Sequence, residues 1–323
     1  MSGNSFGGNL PIFKHSAKRD IINNDPIDDT LHVIIVISNP CGYQRRYQLA
    51  EEFKLKIQTE PNVLLYVVEL SYDGNYHVTN ENNPRHLRLY TDTAPIWAKE
   101  NMINMGIFHL LPKNWKAVAW IDADIEFENA HWALDTLKIL NGSCDIVQLF
   151  SHCIDMDANQ EPMNIFSSFG FQYAHGAHKN FWHPGFAWAM TRKAFDRIGF
   201  LYDLSILGSG DCNFAKSILG RGVKSIHHQN SKGYKDSISD YQMRSRTLRL
   251  GYVPGVIRHF FHGSKKNRGY SNRWKILVKH KYDPYKHMMR LPNGLLVPSP
   301  ECPKGLLDDI LKYFKSRKED SQK

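Results

Sequence analysis

The stretch Trp120-Ile121-Asp122-Ala123-Asp124 closes an apolar run that begins at Ala117 and sets two carboxylates one residue apart. A short apolar run bounded by polar residues reads as a buried strand. In an open α/β sheet the ligand crevice lies outside the carboxyl ends of the strands, so Asp122 and Asp124 are expected where ligands bind. No basic residue lies within several positions, which leaves a pair of hard oxygen ligands suited to Mg²⁺ or Mn²⁺. An isolated pair of this kind also ends strands and turns that do no chemistry, so its meaning rests on what the other segments supply.

The chain has 323 residues, 42% hydrophobic and 12% aromatic, enough for one large α/β domain with a substantial core. No stretch approaches the ~20 apolar residues of a membrane span, so no transmembrane segment is expected. Met1 to Pro11 is rich in Gly, Asn and Ser rather than basic then apolar, which predicts no secretory route and a cytoplasmic location. The five cysteines are odd in number, widely spaced and without a CxxC pair, the usage of a reducing compartment with neither a zinc site nor a disulfide framework. Asn141-Gly142-Ser143 fits a glycosylation sequon but is read as a helix stop. A net charge of +9 favours an anionic partner. Basic residues gather in Lys265 to Arg273, with neighbours to Lys281, and in Lys312 to Lys323; the second group reads as a solvated, frayed helix end.

Along the chain, residues 1–30 form a polar, loosely attached arm, 31–290 one domain with halves 31–125 and 126–290, and 291–323 an extension with a basic tail. Strands are expected at His32 to Ile37, Val63 to Leu70, Leu87 to Leu89, Ala117 to Ile121 and Asp145 to Phe150. Helices are expected through Tyr43 to Phe53, from Ile96 to Leu110, and over Trp132 to Leu140. This alternation predicts a mostly parallel sheet with helices on both faces, a Rossmann-like α/β fold. Further on, Thr191 should cap a helix that stops at Gly199, and a helix should follow Asp211. Val223 to His227 and Val253 to Phe261 read as strands.

Four segments, in this order, carry the functional reading. They are the helix Trp97 to Ile107 with its Asn104-Met105-Gly106; Trp182-His183-Pro184-Gly185-Phe186-Ala187-Trp188, continuing through Thr191-Arg192 to Gly199; Gly208-Ser209-Gly210-Asp211; and Ile257-Arg258-His259-Phe260-Phe261-His262-Gly263-Ser264-Lys265-Lys266-Asn267-Arg268. With the aspartate pair they resemble a GT-A-fold glycosyltransferase, most nearly the β-1,4-galactosyltransferases and the family-2-like inverting enzymes. The likeness runs from about Val33 to Arg273. It implies a nucleotide-binding half at 31–125, an acceptor and catalytic half at 126–290, and a hexose-type sugar moved from a nucleotide diphosphate, UDP by preference, to a glycan, protein or lipid hydroxyl. The turn here offers only Asp211, and Trp182-His183-Pro184-Gly185 stands where the galactosyltransferases carry paired glycines, so galactose as donor is not implied.

The chemistry assigns the roles. A departing diphosphate must be neutralised, so Asp124 is expected on a divalent ion, Mn²⁺ or Mg²⁺, with Asp122 on the ion or the ribose. Histidine as third ligand suits Mn²⁺, with His262 as first choice and His259 as alternate. Lys99 and Asn104 are placed with the nucleotide, and Lys265 and Arg268, beside Lys266, with the diphosphate. Asp211 in its Gly-flanked turn is the general base, and attack opposite the leaving group inverts the anomeric centre. Trp182, His183 and Gly185 are expected on the acceptor, with Trp188 as a further flat face. Asp211 could instead be a plain helix cap. Trp97, Trp120 and Trp132 are read as core.

A sugar nucleotidyltransferase would need a Gly-rich, Arg- or Lys-bearing loop after the first strand, and Ser38-Asn39-Pro40-Cys41-Gly42 is a poor one. A lectin-like carbohydrate binder or a basic nucleic-acid-binding module would leave the aspartates unexplained, so nucleic acid is not an expected partner.

Overall fold

The computed structural model describes residues 29–176, 183–270 and 272–321. Leu31–Ser38 (β1) runs into Gln44–Ile57 (α1) and returns as Val63–Ser71 (β2), parallel to β1 with Leu31 opposite Val63 and Ser38 opposite Leu70. His86–Tyr90 (β3), Lys99–Leu110 (α2) and Ala117–Ile121 (β4) follow. Ile125–Phe127 (β5), Trp132–Gly142 (α3), Ile146–Gln148 (β6), His152–Met156 (β7) and Pro162–Ser167 (β8) come next. Then come Phe169–Ala174 (α4), Ala187–Thr191 (β9), Arg192–Ile198 (α5), Gly210–Ile218 (α6), Lys232–Ser245 (α7), Leu250–Tyr252 (β10) and Val256–His259 (β11). Trp274–Lys279 (α8), Pro284–His287 (α9), the hairpin Met288–Arg290 (β12) with Leu296–Pro298 (β13), and Lys304–Ser316 (α10) complete the chain.

Seven strands form the central sheet in the order β10-β6-β9-β4-β1-β2-β3; β9 is antiparallel to both its neighbours and the other pairs are parallel. Side chains of a strand alternate between faces, and both faces here are covered, which is why β1 and β4 read as continuous apolar runs. Ile34, Val118 and Trp120 pack into one layer with Met102 and Phe214, while Val33, Ile35, Ala117 and Ala119 pack into the other with Phe53 and Trp132. This is the single α/β domain with a mostly parallel, helix-flanked sheet that the sequence predicts. β1 has β2 on one side and β4 on the other, so the crevice at the carboxyl ends of β1 and β4 is the switch point where such sheets bind ligands. A smaller sheet, β5-β11-β7-β8, begins directly after Asp124 and brings β11 beside it, with the Phe260 N–H donating to the Asp124 carbonyl at 2.8 Å.

The Asn104-Met105-Gly106 motif has a packing explanation. The Asn104 amide accepts from Leu201 N–H at 2.8 Å and donates to Leu201 C=O at 2.9 Å, fastening α2 to the loop after α5. A Cβ on Gly106 would meet Val68 and Ile34 at 3.0 and 3.1 Å, so a bare backbone lets α2 lie close on β1 and β2. Thr191 caps α5 through a 3.1 Å bond from Ala194 N–H, and Gly199 ends it at φ +80°.

Two readings are corrected. Val223 to His227 is no strand: Val223–Ser225 is a 3₁₀ turn, in which the Ser225 hydroxyl bonds locally to Gly222 C=O and to Asn213. The tail is no frayed, solvated end. α10 buries Leu306, Ile310, Tyr313 and Phe314, and beyond it Arg317 and Glu319 are 5% and 2% exposed. Among the described residues, no helix is long and apolar enough to cross a membrane.

Candidate functional site

Asp122 and Asp124 leave the carboxyl end of β4 on opposite errands. The Asp122 side chain forms an ion pair with Lys99 Nζ at the start of α2, and its N–H donates to Phe186 C=O at 2.8 Å. Asp124 turns toward β11 and the loop that follows it. There Asp124, His259 and His262 each offer a ligand atom, all within 4.8 Å of one another. His262 Nε2 is 2.8 Å and His259 Nε2 3.7 Å from Asp124 Oδ2. Sequence reasoning held these histidines as alternatives; the structure brings both to the same carboxylate.

The hydrogen bonds around the cluster decide its chemistry. His259 Nδ1 donates to Asp155 Oδ1 at 2.7 Å, and His262 Nδ1 faces Glu319 Oε2 at 3.3 Å. With a cation bound, each Nδ1 would give its proton to its carboxylate and each Nε2 would turn its lone pair to the ion, the arrangement that carboxylates impose on metal-binding imidazoles. His262 Nε2 has two close neighbours, Arg268 Nη2 at 2.8 Å, which can only donate to it, and Asp124 Oδ2 at 2.8 Å, which can only accept from it. His259 Nε2 and Asp124 Oδ1 are buried with no hydrogen-bond partner among the described residues. One carboxylate and two imidazoles gathered around one point could hold a divalent cation.

Burial alone would raise the Asp124 carboxyl, but His262 and His259 outweigh it and hold it well below the usual range. Asp122 is pushed up, first by burial and then by Asp124, with Lys99 opposing. Burial would discharge Lys99, yet Asp122, Glu100 and Asp211 more than compensate and keep it charged.

Beside the cluster an open hollow lies at the carboxyl end of β1. Asn39, Tyr43, Arg46, Trp97 and Lys99 line it, joined from the far end of the chain by Phe314, Arg317 and Glu319. Trp97, read as core, is half-buried in this wall with the Arg317 guanidinium 5.2 Å from its ring. Lys265 ion-pairs with Asp155, and Arg268 is buried between His262 and Tyr270. Asn104, expected on the nucleotide, has its amide committed to Leu201 and is not carried into the reading below.

On the other side of Lys99 a second, smaller hollow is lined by Glu100, Trp120, Gly185, Phe186, Trp188 and Asp211. Asp211 stands in the first turn of α6, after Ser209 at φ +74°, and its Oδ1 accepts from Cys212 N–H at 2.7 Å. Its Oδ2 faces Gly185, where a Cβ would come within 3.0 Å of it and within 3.5 Å of His183. The structure thus brings Gly185, His183 and Asp211 together. His183 stacks between Phe166 and Phe186 at 4.4 and 4.2 Å, and burial, with His259 and Lys265 nearby, pushes its imidazole down to about 3. Trp182 lies outside the described residues. Trp188, expected as a further flat face for the acceptor, is 1% exposed and donates its indole N–H to Pro184 C=O, a wall rather than a platform.

Glu100 was not singled out from the sequence, where it is one acid in an amphipathic helix. Its carboxyl lies against Gly210, where a Cβ would sit 2.3 Å from it. Burial, opposed by Lys99 and reinforced by Asp211, pushes it up to about 8. The folded chain then holds a proton that an unfolded glutamate releases near 4.5, so this residue costs stability as pH rises through that window. Glu100→Gln is expected to leave thermal stability nearly unchanged at pH 4 and to raise it at pH 8.5, by up to a few kcal/mol on the order of the shift. Equal melting curves at pH 8.5 would contradict a Glu100 carboxyl raised by burial.

Comparison with protein-family models and with curated proteins finds no match. Among solved structures, a protein described as a "putative nucleotide-diphospho-sugar transferase" from Desulfovibrio desulfuricans G20 is similar over 89% of this chain and 97% of that one, at 8% identity and a TM-score of 0.34. A likeness of that degree carries no argument here.

Proposed function

We propose that this chain is a metal-dependent glycosyltransferase that moves a hexose-type sugar from a nucleotide diphosphate, UDP by preference, to an acceptor hydroxyl with inversion. The observation that carries the reading is the Asp124, His259 and His262 cluster at the switch point of the sheet, beside the hollow at the end of β1 and one lysine away from Asp211. Asp124, His259 and His262 would hold Mn²⁺, which supplies Lewis-acid neutralisation of a diphosphate when bound. Lys99 stands between the two hollows, and its charge, with those of Arg268 and Lys265, offsets the charge that develops on the leaving phosphate oxygen. Asp122 fixes Lys99 in that position and is available to a ribose hydroxyl.

Asp211 acts on the acceptor. As the acceptor oxygen bonds to the anomeric carbon, its proton passes to Asp211 Oδ2, and the bond between the anomeric carbon and phosphate oxygen breaks on the opposite face. His183, neutral and held by two aromatic rings, can accept or donate a hydrogen bond to the acceptor without adding charge. Gly185, lacking a side chain, lets Asp211 Oδ2 lie close to its backbone.

The test is a screen of UDP- and GDP-sugars with Mn²⁺ and no acceptor, with slow hydrolysis of one donor as the expected result. Release of nucleotide from none of them, at protein concentrations where Mn²⁺ binding is saturated, would count against transfer from nucleotide sugars.

A further inference from the structure

The last described residues cross the site as a strap. Asp320 accepts the N–H groups of Gln44 and Arg45 at the start of α1, at 3.1 and 2.9 Å. The Tyr43 hydroxyl accepts from Lys318 N–H at 3.1 Å and donates to Phe314 C=O at 2.9 Å. On the opposite side Gly263, next to His262, presses on this strap: a Cβ there would come within 3.0 to 3.2 Å of backbone atoms of Arg317, Lys318 and Glu319. The strap thus ties the loop after β1 to the loop that carries His262.

Glu319 is its deepest point. Arg46 Nη2 donates to Glu319 Oε1 at 2.9 Å, and Arg46 Nε and Arg317 Nε also donate to the carboxylate. Two guanidiniums offset the cost of burying this charge and keep it an acceptor. Its remaining contact is His262 Nδ1 at 3.3 Å. Asp155 makes the same contact with His259 from within β7, so the two histidines are held by the same chemistry from elements far apart in the chain.

We propose that Glu319 is a positioning residue of the cation site: by accepting a hydrogen bond from His262 Nδ1 it fixes the ring and tautomer with which His262 Nε2 meets a divalent cation. Residues 317–320 are then part of that site rather than an appendage. The proposal rests on the reading of Asp124, His259 and His262 as a cation site.

The experiment titrates Mn²⁺ alone, by electron paramagnetic resonance of the free ion, into the full chain as wild type, Glu319→Ala and Glu319→Gln, with melting curves taken in parallel without metal. Glu319→Ala should weaken Mn²⁺ binding about 10- to 100-fold. Glu319→Gln keeps a carbonyl acceptor and should recover most of that loss, although it leaves Arg46 and Arg317 without their counter-ion and melts lower. A role in packing alone predicts affinity that follows melting temperature instead. Wild-type affinity in a folded Glu319→Ala, or a Gln variant no better than Ala, overturns the proposal while leaving the cation site standing. A wild type that binds no Mn²⁺ overturns both. Should the variants not fold, the ring nitrogens decide: ¹⁵N spectra of the wild type with Mg²⁺ should show His262 protonated at Nδ1, and protonation at Nε2 overturns the proposal.

Discussion

Asp124→Ala is expected to abolish divalent-cation binding and, with it, binding of UDP. Asp124 is the one carboxylate in a cluster whose other two members are histidines, and it is the group both of them face. Removing a direct ligand should exceed the ~10²-fold loss that changes around a ligand reach. The variant also takes away the anion that, with Asp155, holds the His259 proton against burial, so its effect on folding must be separated from its effect on the ion. Calorimetric titration of Mn²⁺ into the folded variant makes that separation. Binding within tenfold of wild type would remove Asp124 from the site.

Asp211→Asn should separate chemistry from binding. Asn keeps the size of Asp and can still accept from Cys212 N–H, which preserves the start of α6, but it cannot take a proton. Transfer is expected to fall by ~10²-fold or more while donor affinity stays near wild type. A simple helix cap predicts the reverse, a small loss of stability with transfer intact. The product of an α-linked donor should be β-linked in the wild type, read from its anomeric proton by NMR. Retained α-configuration would point to a different use of the carboxylates around Lys99.

The parts of this structure that could be read in advance are those set by local pattern. Ala117–Ile121 is a strand because an apolar run buried on both faces has few alternatives, and Thr191 and Gly199 bound a helix because capping is a short-range event. Asp124, His262 and His259 were within reach because DxD and the histidines are uncommon residues in short motifs. What escaped was set by contacts between distant segments. Asp155 and Glu319 hold their histidines across 104 and 57 residues, and nothing in a lone Asp in β7 or a Glu in a basic tail announces a partner. The basic tail itself misled, since Arg317 reads as a solvated charge until Glu319 and the Trp97 ring are placed beside it. Asn104 misled in the opposite sense: its motif has the look of a ligand contact, but its amide serves the packing of α2. Val223 to His227 has the composition of a strand, yet Ser225 finds its hydrogen bonds locally.

The central claim is that Asp124, His259 and His262 make nucleotide binding depend on a divalent cation. The most direct measurement is a calorimetric titration of UDP into the wild-type protein with saturating Mn²⁺ and again in EDTA. The account predicts binding in the first case and none in the second; equal affinity in both would contradict it.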